Sequence, residues 1–346
     1  MDPHYDANAS SLMEQLFMPY FSGQWNQEDW DFTAKERAIL KDYLLVFDEI
    51  KDLFEPYRQD IATYYLSYYG VNLLQVCYFL FLERKETVST IQELHQLALK
   101  LSEQDIKERL CFLLMNEEDA SKGFWDLLEN SNLKPDTKWY FSQFYKYPLD
   151  NMKKLIALSE KLVTLYQPYL KAGEKHRQAF SQSFSLEKLF EESHVISEEQ
   201  YQQNKDREYH LYILSPWMIC FASTDMTSRN RGSVALIVSC YVDDLLLSHN
   251  DLDDDDFSIV LKLLSDITRY KVMVELLKGE LKSKEIAEKF GITGATVSFH
   301  TQKLINAHIL IFSESNSKGK YELNKSFLNQ VMNKLKQELY LDQDEI

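Results

Sequence analysis

Cysteine, glycine and long apolar runs are what this 346-residue sequence has least of, and each shortage removes a class of function. Its four cysteines, Cys77, Cys111, Cys220 and Cys240, lie far apart in apolar surroundings. With no CxxC pair, neither a disulfide framework nor a thiolate metal site is expected, and a reducing cytoplasm is the natural setting. The nine glycines form no GxGxxG, P-loop or GxSxG, and HExxH is also missing, so the usual nucleotide, hydrolase and zinc-protease motifs are absent. The histidines His95, His176, His194 and His210 are scattered and read as surface or packed residues. No catalytic residue, cofactor or metal is assigned, and the expectation is a protein that is not an enzyme. The longest apolar runs, Val71 to Leu82 and Ser233 to Val242, are too short to span a bilayer. The opening MDPHYDANASSLMEQ lacks the basic start and apolar core of a signal peptide, so no membrane partner is expected.

What the chain does have is concentrated near its C-terminal end, in KSKEIAEKFGITGATVSFHTQKLINAHIL, residues 282–310. Ile286, Ala287 and Phe290 recur at helical spacing behind Ser283, a candidate cap. Gly291 suits the left-handed conformation that ends a helix, and Ile292 can pack back under the turn. Thr293 then caps a second helix, residues 294–307, with Val297, Leu304 and Ala307 inward and Ala295, Thr296, Ser298, Phe299 and Gln302 outward. Two helices about a glycine turn have the shape of a DNA-reading helix-turn-helix, whose second helix enters the major groove. Next come Ile309 to Phe312, the polar tip SESNSKGK, then Tyr321 and Leu323, a two-stranded wing whose Lys318 and Lys320 are placed to neutralise phosphate. The candidate DNA-binding set is Ser283, Lys284, Thr293, Gly294, Ala295, Thr296, Ser298, Phe299, Gln302, Lys303, Lys318 and Lys320.

Upstream, Leu261, Leu264, Ile267, Tyr270, Val274 and Leu277 set an apolar stripe for one further helix from Phe257 to Lys278. The segment from about Phe257 to Leu328 resembles the ArsR-type winged-helix transcriptional regulators. The resemblance rests on Ser265-Asp266-Ile267-Thr268-Arg269, similar to the family's SDPTR opening; on Thr296-Val297-Ser298-Phe299-His300, similar to its TVSxH reading helix; and on Tyr321-Glu322-Leu323, similar to the strand closing its wing. It implies a transcriptional regulator, a repressor by expectation, with double-stranded DNA as partner. The family's metal sensors carry a cysteine pair at the start of the second helix, where this chain has Glu280-Leu281-Lys282-Ser283-Lys284. Soft-metal binding needs thiolates close together, so that class of site is not expected here. His300 matches a residue the family generally uses structurally and is read first as packed, second as a phosphate contact.

Charge divides the molecule. The whole chain carries −16, yet residues 258–336 hold 13 Lys and Arg against 7 Asp and Glu, a net of +6, while residues 1–257 carry −18. The acidic part is expected to hang away from DNA. A +6 module with an almost uncharged reading helix binds one half-site weakly, which points to a homodimer spanning two. Candidate seams are the helix 257–278 and the last helix, SFLNQVMNKLKQELYL, through Phe327, Val331, Leu335 and Leu339; packing of that stripe within its own module is the equal alternative.

Residues 1–250 are expected to be a mainly helical sensor or assembly domain. Thr33 and Glu36 form a capping box before Ile39, Leu40, Tyr43, Leu44, Phe47 and Ile50, and further stripes cover 71–82, 90–101, 105–115, 123–128, 136–145 and 151–169, punctuated by Pro56, Pro135, Pro148 and Pro168. Strands are predicted near 208–223 and 233–242, as a hairpin or a strand pair. The acidic run 251–256 reads as a solvated linker whose last aspartates lie at the N-terminus of the following helix, because a calcium loop's glycine and closing glutamate are missing. The predicted fold is therefore mainly α with minor β: a helical N-terminal domain ending in a strand pair, then a winged helix over 257–346. That order also resembles ArsR-like regulators with a large extra domain. The aromatics Tyr64-Tyr65, Tyr68-Tyr69 and Trp139-Tyr140-Phe141 suit either packed core or a pocket for a small-molecule effector. The alternative function is a protein-interaction module, in which the winged helix and the acidic helical domain bind other proteins rather than DNA.

Overall fold

The computed structural model describes residues 4–24, 34–68, 70–115, 122–192, 207–226, 233–241, 252, 254–312 and 321–340. The fold is mainly α. Two large hydrophobic clusters share no residue: one draws its buried side chains from Leu12 to Ile237, the other from Phe257 to Val331.

The first cluster is built around α1 (Ala7–Gln24) and α9 (Pro148–Ser183). Asp6 starts α1 by accepting the backbone N–H of Asn8 at 2.7 Å and of Ala9 at 3.0 Å. Leu12, Met13, Leu16 and Phe17 are then fully buried. No helix is expected before Thr33, and α1 is a departure from that expectation: its apolar spacing is broken by the buried Glu14 and Gln15. Around this pair lie α2 (Ala34–Phe54), α3 (Arg58–Tyr64), α4 (Leu73–Glu83), α5 (Ile91–Ala98), α6 (Glu103–Leu114), α7 (Phe124–Asn130) and α8 (Pro135–Lys146). Several carry reciprocal caps: Asn72 with Gln75, Thr90 with Glu93 and Ser102 with Asp105. Thr33 of the expected capping box lies outside the described residues. Pro168 does not end α9, as expected, but stands inside it on an exposed face. The carbonyl it leaves without an N–H, that of Thr164, is also on an exposed residue, so water can satisfy it while Tyr166 and Leu170 hold the helix by packing. Of the aromatic clusters, Tyr65 and Phe141 are core, Trp139 is exposed, and Tyr69 lies outside the described residues.

A four-stranded sheet in the order β1-β4-β6-β5 packs on α1 and α9. It comprises β1 (His4–Tyr5), β4 (Glu208–Leu214), β5 (Phe221–Asp225) and β6 (Ser233–Ser239), while β2 (Ser67–Tyr68) and β3 (Val71–Asn72) form a small pair of their own. The strand expected over 208–223 is two strands, broken where Ser215 turns to bond Glu14 and Met218 N–H meets the Ser215 carbonyl. The hairpin partner of β6 is β5, while β4 lies parallel to β6 with Leu211 opposite Leu236. A short helix, α10 (Leu186–Glu192), packs Leu186 and Leu189 against β4 and β6 side chains such as Ile213 and Val238.

The second cluster belongs to α11 (Asp254–Ser265), α12 (Ile267–Lys278), α13 (Ser283–Phe290), α14 (Gly294–Asn306), β7 (Leu310–Phe312), β8 (Tyr321–Leu323) and α15 (Lys325–Glu338). The last aspartates of the run 251–256, Asp254, Asp255 and Asp256, form the first turn of α11, where negative charge is favoured by the helix dipole, as expected. The single helix expected over 257–278 is broken at Asp266, whose carboxylate accepts the N–H of Thr268 at 2.9 Å and of Arg269 at 3.0 Å and so starts a new helix. The break also resets the phase of the apolar stripe. Val260, Leu263, Val272, Met273 and Leu276 are buried, whereas Leu261 and Tyr270 are exposed and Ile267 is 62% exposed.

Candidate nucleic-acid interface

The two helices of the turn are fixed by local chemistry. Glu285 reaches back to the Lys282 N–H at 2.7 Å, so Lys282 holds the cap position and Ser283 is the first helical residue, not the cap expected. Gly291 ends α13 at φ +64°, the left-handed region, and the Ile292 N–H then bonds the Ala287 carbonyl at 3.0 Å. Thr293 caps α14 by accepting the Thr296 N–H at 3.1 Å. Val297 and Leu304 are fully buried beneath α14 and Ala307 follows them, as the spacing predicts. Thr301 is buried as well, its hydroxyl returned to the Val297 carbonyl at 2.8 Å.

Two polar ties hold the supporting helices together and α13 on them. Arg269 donates to the Leu263 carbonyl at 3.3 Å and lies 3.5 Å from the Asp266 carboxylate, stapling α11 to α12. Glu275 of α12 meets Lys289 of α13 at 2.9 Å and Lys278 at 2.8 Å. Backbone N–H donors and Arg269 hold the Asp266 carboxyl below its ordinary range, and the two lysines do the same for Glu275. The Glu275–Lys289 pair is fourteen residues apart on separate helices, so no periodicity reveals it.

With α13 and α14 so placed, Ser283, Lys284, Thr293, Gly294, Ser298, Phe299 and Gln302 are exposed, and Thr296 and Lys303 half-buried. Phe299 is 55% exposed, and the Lys303 ammonium sits 4.8 Å from its ring centre. Gln302 donates its side-chain amide to Asn306 at 2.7 Å, and the Thr293 and Thr296 hydroxyls bond each other at 2.8 Å. The Ala295 side chain, Lys318 and Lys320 lie outside what is described. Strands β7 and β8 pair antiparallel, Leu310 opposite Leu323 and Phe312 opposite Tyr321. His300 is buried, its Nδ1 without a hydrogen-bond partner among the described residues, and burial, then the nearby Arg269, push its pKa down. That geometry fits a packed histidine.

The family model for the bacterial regulatory proteins of the arsR family matches residues 266–311, from the Asp266 cap to β7. The arsenical resistance operon repressor of Staphylococcus xylosus is 30% identical over 76 residues, which cover 73% of that protein and 22% of this chain. This chain belongs to the arsR family. The corresponding repressor of Staphylococcus aureus is 29% identical over 80 residues, 77% of its length and 23% of this chain. No solved structure matches the chain. ArsR-family membership makes it a DNA-binding transcriptional regulator, a non-enzymatic role carried by the helix-turn-helix. Among the described residues no helix is long and apolar enough to cross a membrane, and no group of three or more His, Cys, Asp or Glu could hold a metal ion.

Proposed function

We propose that this chain is a transcriptional repressor that binds a two-half-site operator as a homodimer, with residues 1–250 as a domain controlled by a small-molecule or protein effector. In this reading α14 enters the major groove. Ala295, Thr296, Ser298, Phe299, Gln302 and Lys303 face the bases and their flanks; Ser283, Lys284, Thr293 and Gly294 lie toward the backbone, and Lys318 and Lys320 of the wing contact phosphate. The observation that carries the reading is the division of α14 itself: Val297 and Leu304 are fully buried, while Ser298, Phe299 and Gln302 are left facing out. Repression is suggested by the two staphylococcal relatives, which are named as operon repressors.

Phe327 and Val331 are buried within their own cluster, so the exposed apolar side chains left for a second copy are Leu261, Ile267 and Tyr270 in the first candidate seam and Met332, Leu339 and Tyr340 in and just beyond α15, Leu339 being 58% exposed. Met332→Glu with Leu339→Glu is expected to shift the protein from dimer to monomer in sedimentation and to weaken operator binding. Lys318→Ala with Lys320→Ala is expected to weaken binding evenly across sequences and to lower the salt slope by about 1 per lysine. Unchanged operator affinity in that double variant overturns the wing assignment. No salt-dependent binding to any duplex favours the protein-interaction reading instead.

A further inference from the structure

The outward face of α14 is poor in the groups that read base edges. Guanine is recognised through paired donors from Arg or Lys, and adenine through the amide of Asn or Gln. Here the Gln302 amide is engaged by Asn306, the Thr296 hydroxyl by Thr293, no arginine lies between Gly294 and Asn306, and the helix's one lysine, Lys303, is drawn over the Phe299 ring. The largest group the helix offers is the Phe299 ring, at the sixth residue of α14, within its first two turns. At about 1.5 Å of rise per residue this lies roughly 8 Å along the helix, inside the N-terminal part that reaches base edges. A phenyl ring offers nothing to guanine N7 and O6 or to adenine N6 and N7. Pressing it on those atoms would strip them of water without return. The apolar feature of the major groove is the thymine 5-methyl group. Lys303, one turn on, places its ammonium over the ring, which favours this orientation of Phe299 and adds positive charge beside it.

We propose that Phe299 is a specificity-determining residue that reads the 5-methyl group of a thymine in each operator half-site. The inference rests on the DNA-reading role given to α14 above. Selection from random duplexes with the full-length protein supplies a consensus, in which each thymine is then replaced singly by uracil, which removes only the methyl. One thymine per half-site is expected to lose about four-fold in affinity on that change, the effect of burying a single methyl group. Phe299→Ala is expected to bind the parent duplex more weakly and to be indifferent to the same uracil, while Phe299→Leu keeps the preference for thymine. Since Phe299 stands outside the buried cluster, both variants are expected to melt at the parent temperature and to keep salt-dependent binding to random DNA. The proposal is overturned if no uracil replacement weakens the parent, or if Phe299→Ala discriminates thymine from uracil as the parent does. A parent that binds no duplex at all refutes the DNA-reading role instead, and this inference with it.

Discussion

Polar side chains in the two hydrophobic clusters reach very different distances along the chain. The caps around the second cluster act within a turn, Asp266 on Thr268 and Arg269, Thr293 on Thr296 and Asn324 on Phe327, and its longer ties, Glu275 with Lys289 and Asp254 with Lys334, are ion pairs between two helices at a time. Around the first, Glu14 is fully buried and gathers groups from across the sequence. Its Oε1 accepts the Tyr166 hydroxyl at 2.5 Å, and its Oε2 accepts Arg177 at 2.9 Å and both the N–H and the hydroxyl of Ser215, at 2.8 and 2.9 Å. Trp217 donates to the Tyr166 oxygen at 2.7 Å, and Arg177 also donates to the Leu170 carbonyl at 3.0 Å. Burial, then the Glu14 carboxylate, hold the Tyr166 phenol well above its ordinary pKa, so it remains a donor. Local bonds decide where helices start and stop. The Glu14 network decides which elements meet, because α1, α9 and the end of β4 must all arrive before a buried charge is matched.

Removing one member of that network is the strongest way to break the contrast. Arg177→Ala leaves Glu14 buried without its cation and is expected to cost about 3–5 kcal/mol in urea denaturation. Asp266→Ala, which removes a cap, is expected to cost about 1 kcal/mol. Equal losses would mean that the long-range network orders nothing that local capping does not.

Gly173 tests the same network by volume. A Cβ at this position of α9 would sit 1.9 Å from the Ser215 oxygen and 2.8 Å from the Arg177 Nη1, which is too close for the bonds to Glu14 to persist. Gly173→Ala is expected to destabilise by about 1–3 kcal/mol, although alanine is the better helix former. A gain in stability would show that the network moves aside without loss.

The same difference in reach explains what could be read in advance. The glycine turn at Gly291, the Thr293 cap and the inward Val297 and Leu304 follow from spacing over a few residues, and the wing strands from apolar residues on either side of a short polar tip, so the sequence reveals them. Helix α1 stayed hidden because Glu14 and Gln15 read as a polar interruption until Arg177, Ser215 and Gln167 supply their partners. The break at Asp266 is masked for the opposite reason. Ser265-Asp266-Ile267-Thr268-Arg269 carries the family resemblance, yet the apolar stripe continues through it in the sequence, although Asp is a strong helix starter. The parallel pairing of β4 with β6 is a choice among strand partners that sequence alternation does not make. At the interface, the outward positions of α14 were legible, but the state of each polar group was not: the engagement of Gln302 by Asn306 needs geometry.

Two buried histidines compare the clusters by pH. His95 contacts the Ser159 hydroxyl at 2.9 Å and burial drives its pKa down from 6.5 to about 4. His300 is lowered in the same direction by burial and then Arg269. Each is neutral when folded at neutral pH, so below about 6.5 the unfolded chain binds more protons than the folded one. Their contributions are therefore complete above pH 6.5 and decline as pH falls, for His95 until about pH 4. Denaturation midpoints measured from pH 7 to pH 4 should slope less in His95→Gln than in the parent, and the change should exceed that in His300→Gln. An unaltered slope in His95→Gln would mean that its ring is not neutral when folded.

The smallest expected effect is at Gly294, and it sharpens the contrast with Gly173 most directly. Both glycines are helical, but nothing among the described residues lies within 4 Å of a Cβ built at Gly294, and unlike Gly291 it has no positive φ that favours glycine. The fold of the free protein therefore places no demand on this position, at the first residue of α14. Alanine there should lose less entropy on folding and raise stability by up to about 1 kcal/mol. A loss instead would mean that α14 begins differently from the Thr293 cap geometry. If stability rises as expected while affinity for an operator duplex falls, the space beside Gly294 is needed by something outside the chain. DNA backbone approaching the start of the reading helix is the contact proposed for it, and an unaltered affinity would remove Gly294 from the interface.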